Sequence, residues 1–152
     1  MRRAIALGEK AALIDSSGGP FGCVVVKDGA VVGEGTNRVV AENDPTWHGE
    51  MAAIRTAAKN LGTFHLAGCT LYTTGEPCPM CAAAIFWARI ERIVYASTIA
   101  DAMRFGGFDD HAIYGELSKP VNERSIPATM CLHEEMLHVW RRYEAKADKI
   151  RY

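Results

Sequence analysis

The sequence has no excess of charge of either sign, since its 152 residues include 17 Lys and Arg against 18 Asp and Glu and carry a net charge of −1. A near-neutral chain lacks the strongly basic surface that attracts nucleic acids, so we do not expect a nucleic-acid partner. A long apolar run is missing too, because residues 71–88 are interrupted by Gly75, Glu76 and two prolines, and a membrane span needs about 20 apolar residues. We therefore expect no contact with a membrane.

Two further absences concern the cellular compartment. The five cysteines are an odd number, which argues against a framework of disulfides, so a paired cysteine spacing points instead to metal binding or catalysis. The apolar run from Ala4 to Leu7 stops at Gly8 and is shorter than the roughly 7 residues of a secretory signal core. These observations predict a cytoplasmic protein.

The chain contains enough apolar material for one core, because 49% of its residues are hydrophobic. We therefore predict a single domain over residues 1–152. Two β-branched runs surround Asp28-Gly29, a pair that favours the tight turn of a β-hairpin. A helix is predicted to begin at Asp44, its capping residue, and to end at Gly62. The other predicted elements are helices near 3–14, 77–87, 109–117 and 131–147, and strands near 69–73 and 92–96.

This alternation of strands and helices predicts an α/β fold, in which the first hairpin is antiparallel and right-handed crossovers join the later strands. The helix body 82–87 is nearly all apolar, so we expect it to be buried. Cys23 and Cys69 occupy strand-like runs and Cys131 opens a helix, so all three are predicted to be small buried side chains.

Two short motifs bring together residue types that bind zinc. His48-Gly49-Glu50 is followed, 28 residues past the glutamate, by Cys78-Pro79-Met80-Cys81. Residues three apart on a helix lie about 60° from each other, so Cys78 and Cys81 can face the same ion. His48 and Glu50 are two apart and diverge by about 200°. A catalytic zinc site needs three protein ligands, which leaves the glutamate free as a base.

A structural role is the alternative from another class. The two cysteines could pack against each other or hold a structural metal in a module without catalysis. A closed structural site needs a fourth Cys or His, and none lies at a suitable spacing. Such a module would also have no use for a free carboxylate at Glu50.

The two motifs resemble the signature of the zinc nucleobase and nucleoside deaminases, His-x-Glu followed by Pro-Cys-x-x-Cys. Other segments resemble the bacterial guanine deaminase branch of that superfamily, from about residue 18 to the C-terminus. These segments are Gly18–Gly22, Asn43–Thr46, Tyr72-Thr73, Phe86–Arg89, Gly107–Asp110 and Glu123–Pro127. The resemblance implies hydrolysis of guanine to xanthine and ammonia in a homodimer with one Zn²⁺ per subunit. It also implies a three-layer α/β/α, cytidine deaminase-like fold with a five-stranded mixed sheet.

The resemblance also assigns roles to single residues. It makes His48, Cys78 and Cys81 the zinc ligands and Glu50 the proton shuttle, in agreement with the spacing. Asp110 is expected to help the exocyclic amine leave, whereas Asp109 is expected to cap a helix. The implied substrate contacts are a stacking ring from Phe21, a hydrogen bond from Asn37, a pocket floor at Gly49, a wall from Trp87 and a lid from Tyr152.

In that branch the C-terminal segment, here about 130–152, crosses to the neighbouring subunit, so Tyr152 would close the partner's pocket. Gly49 departs from the alanine that the family usually has between the histidine and the glutamate, which predicts a roomier pocket floor. The alternatives within the superfamily are a tRNA adenosine deaminase and a deaminase of a nucleoside or of another nucleobase. The near-neutral charge argues against the first of these.

Overall fold

The computed structural model describes residues 1–150. Its contacts divide the chain into two compact units, Met1–Tyr114 and the part from Gly115 onward, which are described in turn. The single domain predicted over residues 1–152 therefore stays a prediction. No helix within residues 1–150 is both long enough and apolar enough to cross a bilayer.

The first two strands form the hairpin that the sequence predicts. β1 (Gly22–Lys27) and β2 (Ala30–Thr36) pair in antiparallel orientation. Asp28 and Gly29 connect them with φ values of 48° and 78°, the left-handed conformation that both central residues of a type I′ turn adopt. Aspartate and glycine tolerate this conformation better than most residues, which explains their use at this turn.

Four strands form one mixed sheet in the order β2-β1-β3-β4. β3 (Cys69–Gly75) pairs antiparallel with β1 and parallel with β4 (Arg92–Ser97). The helix α4 (Pro79–Trp87) connects the two parallel strands, which cannot be joined by a tight turn. The predicted α/β class is confirmed, but the five-stranded sheet is wrong for residues 1–150. After β4 the regular elements of the described chain, up to residue 150, are all helical, so no fifth strand is added there.

The helix predicted between Asp44 and Gly62 is α3 (Gly49–Leu61), which begins later than predicted. Its N-cap residue is His48. Asp44 instead stabilises a turn, because its carboxylate accepts hydrogen bonds from the backbone N–H and the hydroxyl of Thr46. Gly62 ends the helix with a φ of 66°, as predicted.

The remaining helices up to residue 118 are short. They are α1 (Arg2–Glu9), which continues as a π-helical stretch (Lys10–Ile14), α2 (Val39–Glu42), α5 (Ile99–Gly106) and α6 (Asp110–Ser118). The carboxylate of Asp109 accepts the N–H of Ala112 at 3.1 Å, so it caps α6 as predicted. Asp110 is thus left without that capping role.

The second unit contains a 3₁₀ turn (Val121–Glu123) and α7 (His133–Ala145), which confirms the helix predicted near 131–147. Val139 and Trp140 of α7 are exposed. Cys131 is exposed as well, so its predicted burial is wrong. It lies in a stretch before α7 that forms no helix or strand and offers no packed surface to cover it.

The core of the first unit joins residues of β1, β3, α3 and α4 with two residues that lie between these elements, Leu66 and Ala88. It consists of Cys23, Val25, Ala53, Ala57, Leu66, Cys69, Leu71, Ile85 and Ala88. The predicted burial of Cys23 and Cys69 is confirmed. The expected burial of all of 82–87 is wrong, because Phe86 and Trp87 are 76% and 59% exposed. Only the side of α4 that carries Ile85 faces the core, since residues on one face of a helix recur every three or four positions.

Two glycines let α3 approach β2 closely. A Cβ atom on Gly35 would lie 2.2 Å from the carbonyl oxygen of Gly49, and one on Gly33 would lie 2.4 Å from that of Ala53. Real side chains do not occupy such space, so the helix backbone rests directly on the strand. The sheet thereby determines where the first turn of α3 lies.

Candidate active site

The site lies where α3 and α4 begin. His48 is the N-cap residue of α3 and Cys78 is that of α4, and both have an extended backbone. The Nδ1 atom of His48 lies 3.5 Å from the Sγ atom of Cys78 and 3.5 Å from that of Cys81. Within residues 1–150 these three side chains form the one group of potential metal ligands whose donor atoms lie within 4.8 Å of one another.

The three side chains fit a zinc ion. Zn–S bonds near 2.3 Å and Zn–N bonds near 2.0 Å in a tetrahedron separate a sulfur and a nitrogen ligand by about 3.5 Å. Both measured distances from His48 to a cysteine sulfur equal this value. Three protein ligands of this kind are typical of a catalytic zinc site, whereas a structural site has four.

Hydrogen bonds within the cluster favour a thiolate. Cys81 and His48 hydrogen-bond to the sulfur of Cys78 and lower its pKa to about 4, although burial acts in the opposite direction. The same contact acts on the histidine in the opposite direction: the hydrogen bond between His48 and Cys78 raises the pKa of His48. The pKa of Cys81 is raised, first by its hydrogen bond with Cys78 and then by burial. A cysteine that ionises readily is suited to bind a cation.

Glu50 lies in the first turn of α3 and is 4% exposed. Its Oε1 atom accepts a hydrogen bond from the hydroxyl of Thr73 at 2.9 Å, and its Oε2 atom accepts one from the thiol of Cys81 at 3.6 Å. Burial raises the pKa of the Glu50 carboxyl, and the bond from Thr73 partly opposes this effect. A buried carboxyl with a raised pKa beside a metal cluster is suited to take up and release a proton.

A cavity of about 580 Å³ opens beside the cluster. It is lined by several residues that the sequence analysis singled out, namely Phe21, Asn37, His48, Glu50, Cys78 and Asp110. An aromatic ring, a side-chain amide, the metal cluster and two carboxylates therefore share one space. This combination can bind a flat heterocycle and move protons on it.

Phe21 and Asn37 are connected through their backbones. The N–H of Asn37 donates to the carbonyl oxygen of Phe21 at 2.8 Å. The ring of Phe21 meets that of Phe108 edge to face, with 5.0 Å between the ring centres. Asn37 is 5% exposed, and its Oδ1 atom accepts the N–H of Val39 at 3.2 Å. Both side chains are thus held at the end of the β1–β2 hairpin that faces the cavity.

Asp110 opens α6 and lines the cavity. Burial raises the pKa of its carboxyl, as does the negative charge of Cys78, while His48 has the opposite influence. The carboxyl of Asp110 therefore also binds a proton more readily than an exposed aspartate does.

Two predicted substrate contacts, Gly49 and Trp87, are absent from the cavity lining of residues 1–150, and a third lies outside the described residues. Gly49 is buried, but a Cβ atom there would point at the carbonyl oxygen of Phe21, 3.0 Å away, so its missing methyl group does not enlarge the cavity floor. Trp87 lies at the end of α4 and is absent from the cavity lining of the described chain, because the turn of α4 points it away from the core. Tyr152 lies outside the described residues.

Sequence reasoning missed other residues around the site. Thr73 and Glu76 lie at the end of β3, and the carboxylate of Glu76 accepts the N–H of Ile99 at 3.1 Å. The position of Glu76 directly before the Pro-Cys motif was an available signal. Val39, Val40 and Pro45 form an apolar wall of the cavity. The two valines gave no such signal, whereas Pro45 lies in Asn43–Thr46, a segment that resembles the guanine deaminase branch but to which no role was assigned.

A mixed α/β sheet that supports one histidine, two cysteines and a free glutamate at the starts of two helices is the arrangement of the zinc-dependent deaminases. The family model of the cytidine and deoxycytidylate deaminase zinc-binding region matches residues 1–97. The chain belongs to this family of zinc-binding deaminases.

Individual proteins of known sequence or structure resemble this chain over most of its length. The guanine deaminase of Bacillus subtilis (strain 168) is 49% identical over 134 residues, which cover 86% of this chain and 85% of that protein. A solved guanine deaminase from Bacillus subtilis superposes with a TM-score of 0.93 at 46% identity and covers 99% of this chain and 95% of its own. The tRNA-specific adenosine deaminase of Haemophilus influenzae is 42% identical over 116 residues, covering 73% of this chain and 66% of that protein.

Proposed function

We propose that this chain is a zinc-dependent guanine deaminase that hydrolyses guanine to xanthine and ammonia. The position of Glu50 carries the proposal, because a carboxylate that is 4% exposed lies 3.6 Å from a cysteine of the metal cluster and lines the cavity. A structural zinc module would have no use for this buried acid. The extent of the similarity to guanine deaminases supports guanine as the substrate.

Zinc held by His48, Cys78 and Cys81 would supply a Lewis acid that makes a water molecule nucleophilic near neutral pH. Glu50 accepts a proton from the attacking water while the water oxygen bonds to ring carbon C2, and Glu50 then passes that proton to a ring nitrogen. The bond between C2 and the exocyclic nitrogen breaks as the remaining hydroxyl proton moves to the amine. Asp110 assists this second transfer, so one guanine and one water become xanthine and ammonia.

The cavity offers the contacts that a purine needs. The ring of Phe21 provides an apolar face for stacking, and the amide of Asn37 provides a hydrogen bond to the ring edge. The apolar wall of Val39, Val40 and Pro45 adds further apolar surface to the cavity, against which a flat base can pack. Specificity for a flat base with polar edges follows from this combination.

The proposed assembly is a homodimer in which the segment of about 130–152 crosses to the partner subunit and Tyr152 closes the partner's pocket. The apolar side chains that α4 and α7 expose support it, because a monomer rarely leaves several large apolar residues in water. They include Phe86, Trp87, Val139 and Trp140. In such a dimer, Trp87 would contribute its wall to a pocket that the two subunits form together.

The cysteines bear on the cellular location. The five cysteines of the chain are free thiols, which supports a location in the reducing cytoplasm.

The decisive experiment is to incubate the zinc-loaded protein with guanine and to measure xanthine by absorbance and ammonia by a coupled assay. We expect both products in equal amounts. Adenine, cytosine and the nucleosides of guanine, adenine and cytosine serve as competing substrates in the same assay. Absence of xanthine together with ammonia from another base would leave the chemistry intact and overturn the substrate.

A tRNA adenosine deaminase is the second candidate, because the similarity to the Haemophilus influenzae enzyme covers 73% of this chain. The net charge of −1 argues against it, since binding of a tRNA relies on many phosphate contacts. Inosine formation in a tRNA, with binding that weakens steeply as salt increases, would establish this function instead.

A further inference from the structure

Gly18 lies directly against the side-chain amide of Asn37. A Cβ atom on Gly18 would be 1.9 Å from the Oδ1 atom and 2.9 Å from the Cγ atom of Asn37. Non-bonded heavy atoms pack at about 3.5–4.0 Å, so any side chain at this position would take the space of the amide. Gly18 is not among the glycines with positive φ, so the backbone conformation alone does not require glycine here.

Ser17 hydrogen-bonds to the backbone at Asn37 and just after it. Its hydroxyl is buried and donates to the carbonyl oxygen of Asn37 at 2.9 Å. Its own carbonyl oxygen accepts the N–H groups of Val40 and Ala41 at 3.1 and 3.2 Å. The loop 17–18 therefore contacts Asn37 at its carbonyl group and at its side chain. It also hydrogen-bonds to the first turn of α2, which follows Asn37 in the chain.

The orientation of the Asn37 amide follows from these contacts. Its Oδ1 atom already accepts the N–H of Val39 at 3.2 Å. The NH₂ group is therefore the part of the side chain that is left to donate to a molecule in the cavity, which Asn37 lines. A rotated amide would present its oxygen instead and would repel an acceptor atom of a ring.

We propose that Gly18 and Ser17 are positioning residues that hold the Asn37 amide so that it donates to an acceptor on the edge of the purine ring. The proposal rests on the proposed function, because it needs Asn37 to contact the substrate. Gly18 contributes by leaving room for the amide, and Ser17 contributes by fixing the backbone from which the amide extends.

A double-mutant cycle with Gly18→Ala and Asn37→Ala tests the proposal in the zinc-loaded protein. Loss of a substrate hydrogen bond costs roughly ten- to a hundredfold in kcat/KM, so we expect Asn37→Ala to show a loss of this size. Gly18→Ala should lower kcat/KM by about tenfold, mainly by raising KM, since it displaces the same amide. In the Asn37→Ala background, where no amide remains, Gly18→Ala should change kcat/KM by less than about twofold.

Stability and metal content separate positioning from folding. The two nearest atoms to the added Cβ atom belong to the side chain of Asn37, and the backbone carbonyl carbon of Asn37 follows at 3.3 Å. We therefore expect Gly18→Ala to keep its fold and its zinc content, with a small decrease in melting temperature. Gly115→Ala is the matched control, because a Cβ atom there meets no described atom within 4 Å. It should leave the kinetics unchanged, and because Gly115 lies inside α6 it should raise the stability slightly rather than lower it. If Gly18→Ala does not fold, Ser17→Ala takes its place, and its rise in KM must likewise vanish in the Asn37→Ala background.

The outcomes distinguish a failure of the positioning role from a failure of the proposed function. An unchanged kcat/KM in Asn37→Ala would show that Asn37 does not contact the substrate. This result would contradict the positioning proposal and that part of the proposed function. A clear loss in Asn37→Ala with no loss in Gly18→Ala would overturn the positioning role alone. Equal losses from Gly18→Ala in both backgrounds would also overturn it, because the effect would not pass through the amide.

Discussion

Replacement of Glu50 by glutamine separates the chemical role of this side chain from its structural one. Glutamine has nearly the same shape and can still accept the hydrogen bond that Thr73 donates to Oε1 at 2.9 Å. It cannot take a proton from water. General acid–base catalysis contributes roughly 10²–10⁴-fold to a rate, so we expect Glu50→Gln to lower kcat at least about 10²-fold, or about 2.7 kcal/mol in the activation barrier.

The same substitution should not destabilise the fold. Glu50 is 4% exposed, and burial raises the pKa of its carboxyl, which means that the ionised form is kept in the protein at a cost. A neutral amide removes that cost, so the melting temperature in calorimetry should equal or exceed that of the wild type. Activity and stability should therefore change in opposite directions, or activity alone should change.

Steady-state kinetics with guanine and metal analysis of the same samples complete this test. Glu76→Gln is the matched control, because Glu76 lines the same cavity but accepts a backbone N–H from Ile99. Its loss in kcat should be at least about tenfold smaller than that of Glu50→Gln. A zinc-loaded Glu50→Gln protein that retains a tenth or more of the wild-type kcat would refute the proton-transfer role.

Three other predictions concern packing, pH and metal. Gly35→Ala should lower the free energy of unfolding in urea by about 1–3 kcal/mol, because its Cβ atom would meet backbone atoms of Gly49 and Ala53 at 2.2 and 2.5 Å. An unchanged midpoint of urea unfolding would contradict this packing. Arg3 hydrogen-bonds to Glu34 at 2.7 Å and lowers the pKa of that carboxyl from 4.5. The pair therefore stabilises the fold above pH 4.5 and loses this effect as the pH falls through the lowered pKa. Arg3→Ala should reduce the melting temperature slightly at pH 7, and this reduction should shrink as the pH is lowered below 4.5. Removal of zinc by a chelator should abolish turnover and lower the melting temperature, and added zinc should restore both; turnover by metal-free protein would count against the proposed mechanism.

The metal cluster could be predicted because its constraints are local. Zinc accepts few residue types, and two cysteines three positions apart can meet one ion wherever their helix lies in the fold. Residue type and spacing alone were therefore enough to predict the cluster of Cys78, Cys81 and His48. The turn at Asp28-Gly29 was predictable for a similar reason, since it depends on the conformations open to two adjacent residues.

The parts that could not be predicted depend on contacts between distant segments. Thr73 reaches Glu50 only because α3, which carries Glu50, packs against the sheet that contains β3, and nothing in the strand around Thr73 indicates an acid 23 residues away. The exposure of Phe86 and Trp87 has the same origin, because an apolar helix body does not reveal which of its sides the sheet will cover.

Local chemistry in the sequence was therefore enough to indicate the candidate metal ligands and the class of reaction and to predict Glu50 as the base, since each depends on neighbouring residues or on residue type. The packing of the chain was needed to show which groups surround them. Gly18 illustrates the difference: in sequence it is one of two adjacent glycines in a loop, and only the approach of Asn37 to 1.9 Å from its missing Cβ atom gives it a role. Such close contacts arise from the order of strands and the seating of helices on them, which no short stretch of sequence encodes.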